Sequence, residues 1–175
     1  SVRAMSGLIR LYLALSADGY IAGPKGEIDW LTPYPAELFG IERFLESVGA
    51  IVMGRTSYDD LRRMGAWPYS EKRVFVLTSR PLPAQPTGVE QWSGDIASLA
   101  EKSRGCGDVW LFGGAKTVRA FANEGLIDRY ELYIVPELLG DGMRLFAPGL
   151  KREGLRLIEA QPFTEGVVAL IYAKR

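Results

Sequence analysis

Histidine is absent from the 175-residue sequence. That excludes Ser-His-Asp and Cys-His nucleophile systems, histidine metal centres and histidine general bases. Cysteine is almost absent: Cys106 stands alone, so neither an internal disulfide nor a thiolate zinc cluster can form. It lies in Arg104-Gly105-Cys106-Gly107-Asp108, a turn ahead of a strand, and reads as structural. Excess charge is absent too, with 21 basic and 21 acidic residues. Neither nucleic acid nor an anionic membrane is expected as a partner, and any basic site must be local. No apolar run is long enough to cross a membrane and no signal-peptide pattern is present, so a cytoplasmic protein is expected. There is no internal repeat, low-complexity run or linker. Residues 1–7 are set aside as expression leftover or a disordered start, leaving 8–175 as one domain with a sizeable core.

What is present alternates between buried strands and helices. Leu8–Leu15 is apolar apart from Arg10 and reads as a strand. The turn-rich stretch from Ser16 to Gly26 is too long for a plain connection and reads as a functional or mobile loop, closed by Asp29-Trp30. Leu38, Ile41, Leu45 and Val48 make one stripe of a helix over about 36–47. Ala50–Met53 is a second strand, followed by Gly54-Arg55-Thr56 and a helix with Thr56 or Ser57 as N-cap. Val74–Leu77 and Val89–Trp92 are strands, and Asp95 caps a helix reaching Ser103. Val109–Phe112 is a fully buried strand, Gly113-Gly114 turns the chain, and a helix carrying Val118, Phe121 and Ala122 on one face stops at Gly125. Asp128–Val135 alternates as a strand, 136–148 is a loop, and Leu155–Pro162 with Gly166–Lys174 forms an antiparallel hairpin. The order predicts an α/β fold: a three-layer sandwich whose mostly parallel central sheet carries an antiparallel C-terminal hairpin, with helices on both faces.

Ligands of such sheets bind at the carboxyl ends of the strands. Three buried strands end there in Gly54-Arg55-Thr56, Thr78-Ser79-Arg80 and Gly113-Gly114. Together they offer two guanidinium groups, several hydroxyls and free helix-start amides, a set suited to a ligand with several phosphates.

Leu13-Ala14-Leu15-Ser16-Ala17-Asp18-Gly19-Tyr20-Ile21-Ala22-Gly23, Asp29-Trp30, Val52-Met53-Gly54-Arg55-Thr56-Ser57-Tyr58, Phe112-Gly113-Gly114-Ala115 and Pro136-Glu137-Leu138-Leu139-Gly140-Asp141-Gly142 follow one another in an order that resembles the dihydrofolate reductase-like superfamily. Within it, the pattern most resembles the C-terminal reductase domain of the bifunctional riboflavin-biosynthesis deaminase/reductase. The resemblance runs from about Leu8 to the C-terminus and implies that fold and an NADPH cofactor. It places Gly54, Arg55 and Thr56 at the adenine-side phosphates, and Thr78, Ser79 and Arg80 at the adenine and its 2′-phosphate. Gly113, Gly114, Ala115, Lys116 and Thr117 fall at the pyrophosphate. Ala14, Leu15 and Ile21 fall at the nicotinamide, under a lid spanning 17–30. Two arginines near the 2′-phosphate favour NADPH over NADH.

Hydride transfer to a C=N or C=O bond also needs a proton. The resemblance aligns Glu37 with the carboxylate at the start of the first helix in dihydrofolate reductases. Asp29, in the lid beside Trp30, is the second candidate, and burial against apolar or aromatic groups would raise the pKa of either. Trp30, Ile41 and Val135 are expected against the substrate. Val135 stands where a threonine usually contacts the pterin, and Val118 replaces an aromatic hydroxyl, which argues against folate. A zinc deaminase cannot be built without histidine and with one cysteine. The expected activity is therefore NADPH-dependent reduction of a small heterocyclic, pteridine- or pyrimidine-like, or carbonyl/imine substrate. The alternatives are dihydrofolate reductase or 5-amino-6-(5-phosphoribosylamino)uracil reductase proper, and, from another class, a non-catalytic nucleotide-binding protein. The apolar tail strands suit self-association, so a homodimer is expected.

Overall fold

Apolar residues on both faces of a strand require cover on both sides, and the sheet is built accordingly. The computed structural model describes residues 6–175. The disordered start expected over 1–7 lies mostly outside them, while Gly7 is anchored by an N–H bond to the Arg104 carbonyl of 3.1 Å. Ten strands are present among the described residues: β1 (Ile9–Ser16), β2 (Tyr20–Ala22), β3 (Ala50–Gly54), β4 (Arg73–Leu77), β5 (Val89–Trp92), β6 (Val109–Gly113), β7 (Arg129–Val135), β8 (Met143–Arg144), β9 (Leu155–Pro162) and β10 (Val168–Lys174). The helices are α1 (Ile41–Ser47), α2 (Arg55–Arg63), α3 (Ile96–Arg104) and α4 (Ala115–Asn123). Eight strands form one sheet in the order β5-β4-β3-β6-β1-β7-β10-β9. The pairs from β5 to β7 are parallel, and β10 runs antiparallel to both β7 and β9.

Each face has its own core. Leu11, Val52, Phe75 and Leu111 pack against Leu99 of α3 and against Val118 and Phe121 of α4. On the other face, Tyr12, Ile51, Met53, Val76 and Trp110 pack against Phe44 of α1 and Tyr58 of α2. This is the three-layer arrangement the sequence predicts. At the amino end of β1, Arg10 grips Glu131 of β7 through two bonds of 2.7 and 2.8 Å and also reaches Asp108. That pairing explains the one charge in an otherwise apolar strand: both guanidinium edges find acceptors, so the charge is not left bare.

Four local expectations need correction. The helix expected over 36–47 is broken: Ala36–Phe39 is a 3-10 turn, and Gly40 adopts a left-handed φ of 62° before α1 begins. Ile41, Leu45 and Val48 of the expected stripe do face the core on that side, and Phe44 joins them as the buried residue within α1. Thr56 and Ser57 are not N-caps. β3 runs straight into α2, so extended Gly54 is the N-cap and no side chain caps the helix. The two loops expected at 16–26 and 136–148 contain β2 and β8, which pair with each other as a separate small sheet. Those strands are two or three residues long, too short for an alternating pattern to appear. Asp95 does cap α3, accepting a 2.8 Å bond from the Ser98 amide.

Phe121 is fully buried between α4 and the sheet. Phe121→Ala is expected to lower unfolding free energy by about 3–5 kcal/mol in urea denaturation, through lost transfer energy and a residual cavity. A loss below about 1 kcal/mol would contradict this packing.

Candidate functional site

All five central parallel strands end on one edge, at Ser16, Gly54, Leu77, Gly113 and Val135. β3 and β6 are neighbours there, and each leads into a helix with no side-chain cap: α2 from Gly54 and α4 from Gly114. Two sets of first-turn N–H groups, unpaired within their helices, therefore lie side by side. The approach is close. A Cβ on Gly54 would come within 2.7 Å of Thr117 Oγ1, and one on Gly114 within 3.8 Å of Ser57 Oγ. Gly113 has φ of 127° and is joined to Gly114 by a cis peptide bond. Only glycine takes that φ without strain.

The third expected segment joins them. Arg55 Nη1 donates to the carbonyls of Arg80 (3.1 Å) and Pro81 (3.4 Å), while its Nε binds Asp59 at 2.9 Å. Arg55, Arg80 and the Gly113 turn thus belong to one rim. Arg55 thus holds the loop after β4 through Nη1 and Asp59 through Nε, while its Nη2 makes no hydrogen bond among the described residues. Arg80 and Lys116 are exposed, as are Thr56 and Ser79. Thr78 is buried, and its hydroxyl accepts from the Arg80 amide at 3.2 Å. Gln91 of β5 spans the same loop, bonding Thr78 O and Leu82 N.

The other half of the edge lies over β1 and β7. Ala14 is half-buried and aligned with Tyr133, and Leu15 is buried in the core on the α4 side. Ile21, expected on a nicotinamide ring, packs against that same core from β2. Val135 is fully buried, so its side chain offers no contact surface. Ile41 is partly buried against the α1-side core. Trp30 sits in a 3-10 turn, Asp29–Leu31, with its Nε1 buried and unpartnered.

Neither expected acid is buried. Asp29 opens that 3-10 turn and Glu37 lies in the next one, both exposed. Short turns closed by i→i+3 bonds leave their first residues on the surface. Glu37 borders a hollow of about 380 Å³ with Gly40, Ile41 and Arg43.

Sequence reasoning missed the residues that tie this half together. Asp18 accepts from the amides of Leu139 (3.1 Å) and Gly140 (2.8 Å) and from the Ser16 hydroxyl (2.6 Å). The Ser16 hydroxyl, helped by those amides, holds its carboxyl down at about 2. Ala17 N–H donates to Glu137 O at 2.8 Å, and the Tyr34 hydroxyl donates to Glu137 Oε1 at 2.9 Å. Asp18-Gly19 was readable as a turn, but its amide partners, Leu139 and Gly140, lie more than 120 positions away and carry no local signal. Ser57, read as a cap, instead stands beside Gly114 on the rim.

With this geometry in hand, the chain can be placed among known proteins. Residues 91–169 match the family described as the RibD C-terminal domain. YyaP of Bacillus subtilis, itself uncharacterised, is 31% identical over 94% of this chain and 93% of its own length. A solved structure from Shewanella sp. PV-4, of a protein assigned to riboflavin biosynthesis, is 28% identical with a TM-score of 0.83, over 98% of this chain and 99% of that one. Dihydrofolate reductase from Enterococcus faecalis, complexed with NADP(H), superposes with a TM-score of 0.70 over 98% of both chains. At 18% identity, that likeness is one of fold.

Asp18 supports a pH test. Its carboxyl is depressed from 3.8 to about 2 when folded. The bonds it makes therefore stabilise fully above about pH 4 and are lost as pH falls toward 2. Asp18→Asn is expected to be less stable than the parent by a constant margin above pH 4, with the gap closing between pH 4 and 2 in denaturation curves. A pH-independent gap would refute the assignment.

Proposed function

The chain belongs to the RibD C-terminal domain family, and from that premise we propose that it is an NADPH-dependent reductase of a small heterocyclic or carbonyl/imine substrate. One observation carries the cofactor half of this reading: two helices without side-chain caps start on adjacent strands, with an exposed arginine on the neighbouring loop. Backbone N–H groups at helix starts bind phosphate through hydrogen bonds and the helix dipole. The first turns of α2 and α4, with the hydroxyls of Thr56, Ser57 and Thr117, would hold the pyrophosphate. Arg80 would meet the 2′-phosphate through a guanidinium fork, on a loop that Arg55 and Gln91 hold in place. The β1 end at Ala14 and Leu15 would face the nicotinamide.

NADPH supplies the hydride when bound. The protein orients the reacting carbon beside it, excludes water with the 17–30 lid, and delivers a proton to the substrate nitrogen or oxygen. Glu37, on the wall of the hollow, is the nearer fit to that task, and Asp29 in the lid is the alternative. The chain is also proposed to pair with a second copy of itself through β9. That outer strand has one edge without a neighbour in the sheet and exposes Leu157 and Ile158, at 52% and 42%.

NADPH at a hundred times its Kd is expected to stabilise the fold by about 2.7 kcal/mol, read as a raised melting temperature. NADH at equal concentration should give a smaller shift. Arg80→Ala is expected to weaken NADPH about tenfold and leave NADH unchanged; equal response of the parent to both cofactors would remove the 2′-phosphate assignment. Light scattering at micromolar concentration should give twice the chain mass, and a monodisperse monomer would refute the pairing.

A further inference from the structure

A second hollow, of about 210 Å³, lies between the end of α4, the start of β7 and the segment leading into β9. Tyr130 and Ala122 line it from within, at 4% and 9% exposure. Phe146 and Leu150 line it from the outside, at 40% and 36%. Tyr130 is the second residue of β7 and Val135 the last, about 16 Å away at the rise of a strand. The hollow is therefore remote from the ligand edge, and none of its lining belongs to the cofactor or substrate positions described above.

Its outer wall is held in place by α4. Arg119 Nη1 donates to Pro148 O at 2.8 Å, and Asn123 Nδ2 donates to Gly149 O at 2.9 Å. The Lys151 amide returns a 2.8 Å bond to Asn123 Oδ1. A wall fixed in this way costs a ligand little ordering on binding. Apolar side chains dominate the interior, and the polar groups are few. The Tyr130 hydroxyl is buried, and its one partner is Glu153 Oε2 at 3.4 Å, a long bond for a hydroxyl. Burial, helped by the Glu153 charge and that bond, pushes the phenol above its ordinary range, so it stays a neutral donor. Glu153 and Lys151 line the mouth, and both are exposed. Neither forms an ion pair, with the other or with any of the described residues. One acid and one base thus flank the same apolar hollow without neutralising each other.

We propose that this hollow is a second ligand site, which binds a free amino acid with an aromatic or large aliphatic side chain. A cavity of about 150 Å³ lined by apolar residues holds benzene, so the space suffices for a phenyl ring. The side chain packs against Tyr130, Phe146 and Leu150. At the mouth the ammonium faces Glu153 and the carboxylate faces Lys151. A plain hydrocarbon would use neither charge, and a singly charged ligand would use one and be repelled by the other. The site stands on its own lining and does not depend on the reductase reading.

The test measures L-phenylalanine binding by calorimetry. L-Alanine, phenylacetate and 2-phenylethylamine serve as controls, lacking the ring, the ammonium and the carboxylate in turn. The parent is expected to bind phenylalanine at least tenfold more tightly than alanine, because the ring supplies the apolar burial. It should bind phenylalanine about threefold more tightly than either singly charged ring compound, the gain from one exposed ion pair. Glu153→Gln should weaken phenylalanine and 2-phenylethylamine and spare phenylacetate. Lys151→Gln should weaken phenylalanine and phenylacetate and spare 2-phenylethylamine. Both change exposed side chains, so they remain informative should Ala122→Leu, which fills the hollow and should remove binding of every ring compound, fail to fold. Saturating NADPH should leave phenylalanine affinity unchanged. A parent that does not bind phenylalanine, singly charged controls that bind as tightly, or unchanged affinities in Glu153→Gln would each overturn the inference. Displacement of phenylalanine by NADPH would overturn it too, by moving the ligand to the other edge. If Ala122→Leu turned a paired parent into a monomer in light scattering, a second copy of the chain would be the occupant, and the proposal would fall.

Discussion

The close approach of two helix starts is the constraint around which this molecule is arranged. β3 and β6 are adjacent parallel strands, and each turns into a helix without an intervening capping side chain. Gly54 makes this possible because its missing Cβ leaves room for the Thr117 hydroxyl. Gly113 makes it possible because the turn there takes a φ of 127°, which side chains avoid. The sheet order places β6 next to β1, so the polar rim and the β1–β7 mouth share one edge. Remove the glycines, and the strands could still pair, but the two rows of backbone donors would not meet.

Around that junction the chain uses its few charges in two ways. Some stabilise the frame. Arg10 and Glu131 satisfy each other between β1 and β7, and Arg55 and Asp59 secure the loop beyond β4. Others, such as Arg80 and Lys116, stand exposed at the strand ends with no ion pair among the described residues. A protein with zero net charge can therefore still present a basic group locally.

Much of this was legible in the sequence because it is periodic or punctuated. Buried runs such as Ala50–Met53 and Val109–Phe112 gave the strands, Asp95 the cap of α3, and the Gly-Gly turn the start of α4. The family resemblance placed Arg55, Arg80 and the Gly113 turn on one rim; Arg55 bonds the Arg80 main chain, and Gly114 lies beside Ser57 of the same helix. The errors fall where structure is set by distant partners. Gly40 breaks the expected long helix through a single left-handed residue. β2 and β8 exist only because they pair with each other across more than 120 positions. Asp18, Tyr34 and Glu137 find their partners through the fold, so no local pattern announces them. Asp29 and Glu37 were expected as the proton donors, and the short turns that carry them leave both at the surface.

The little sheet of β2 and β8 couples two loops mechanically. The loop after β1 is stitched by Asp18 to 139–140 and by main-chain pairing to Met143–Arg144, while Leu145 just beyond is sunk in the core at 1% exposure. Two loops more than a hundred positions apart are consequently tied to each other and to the core, so displacing either one breaks hydrogen bonds made by the other.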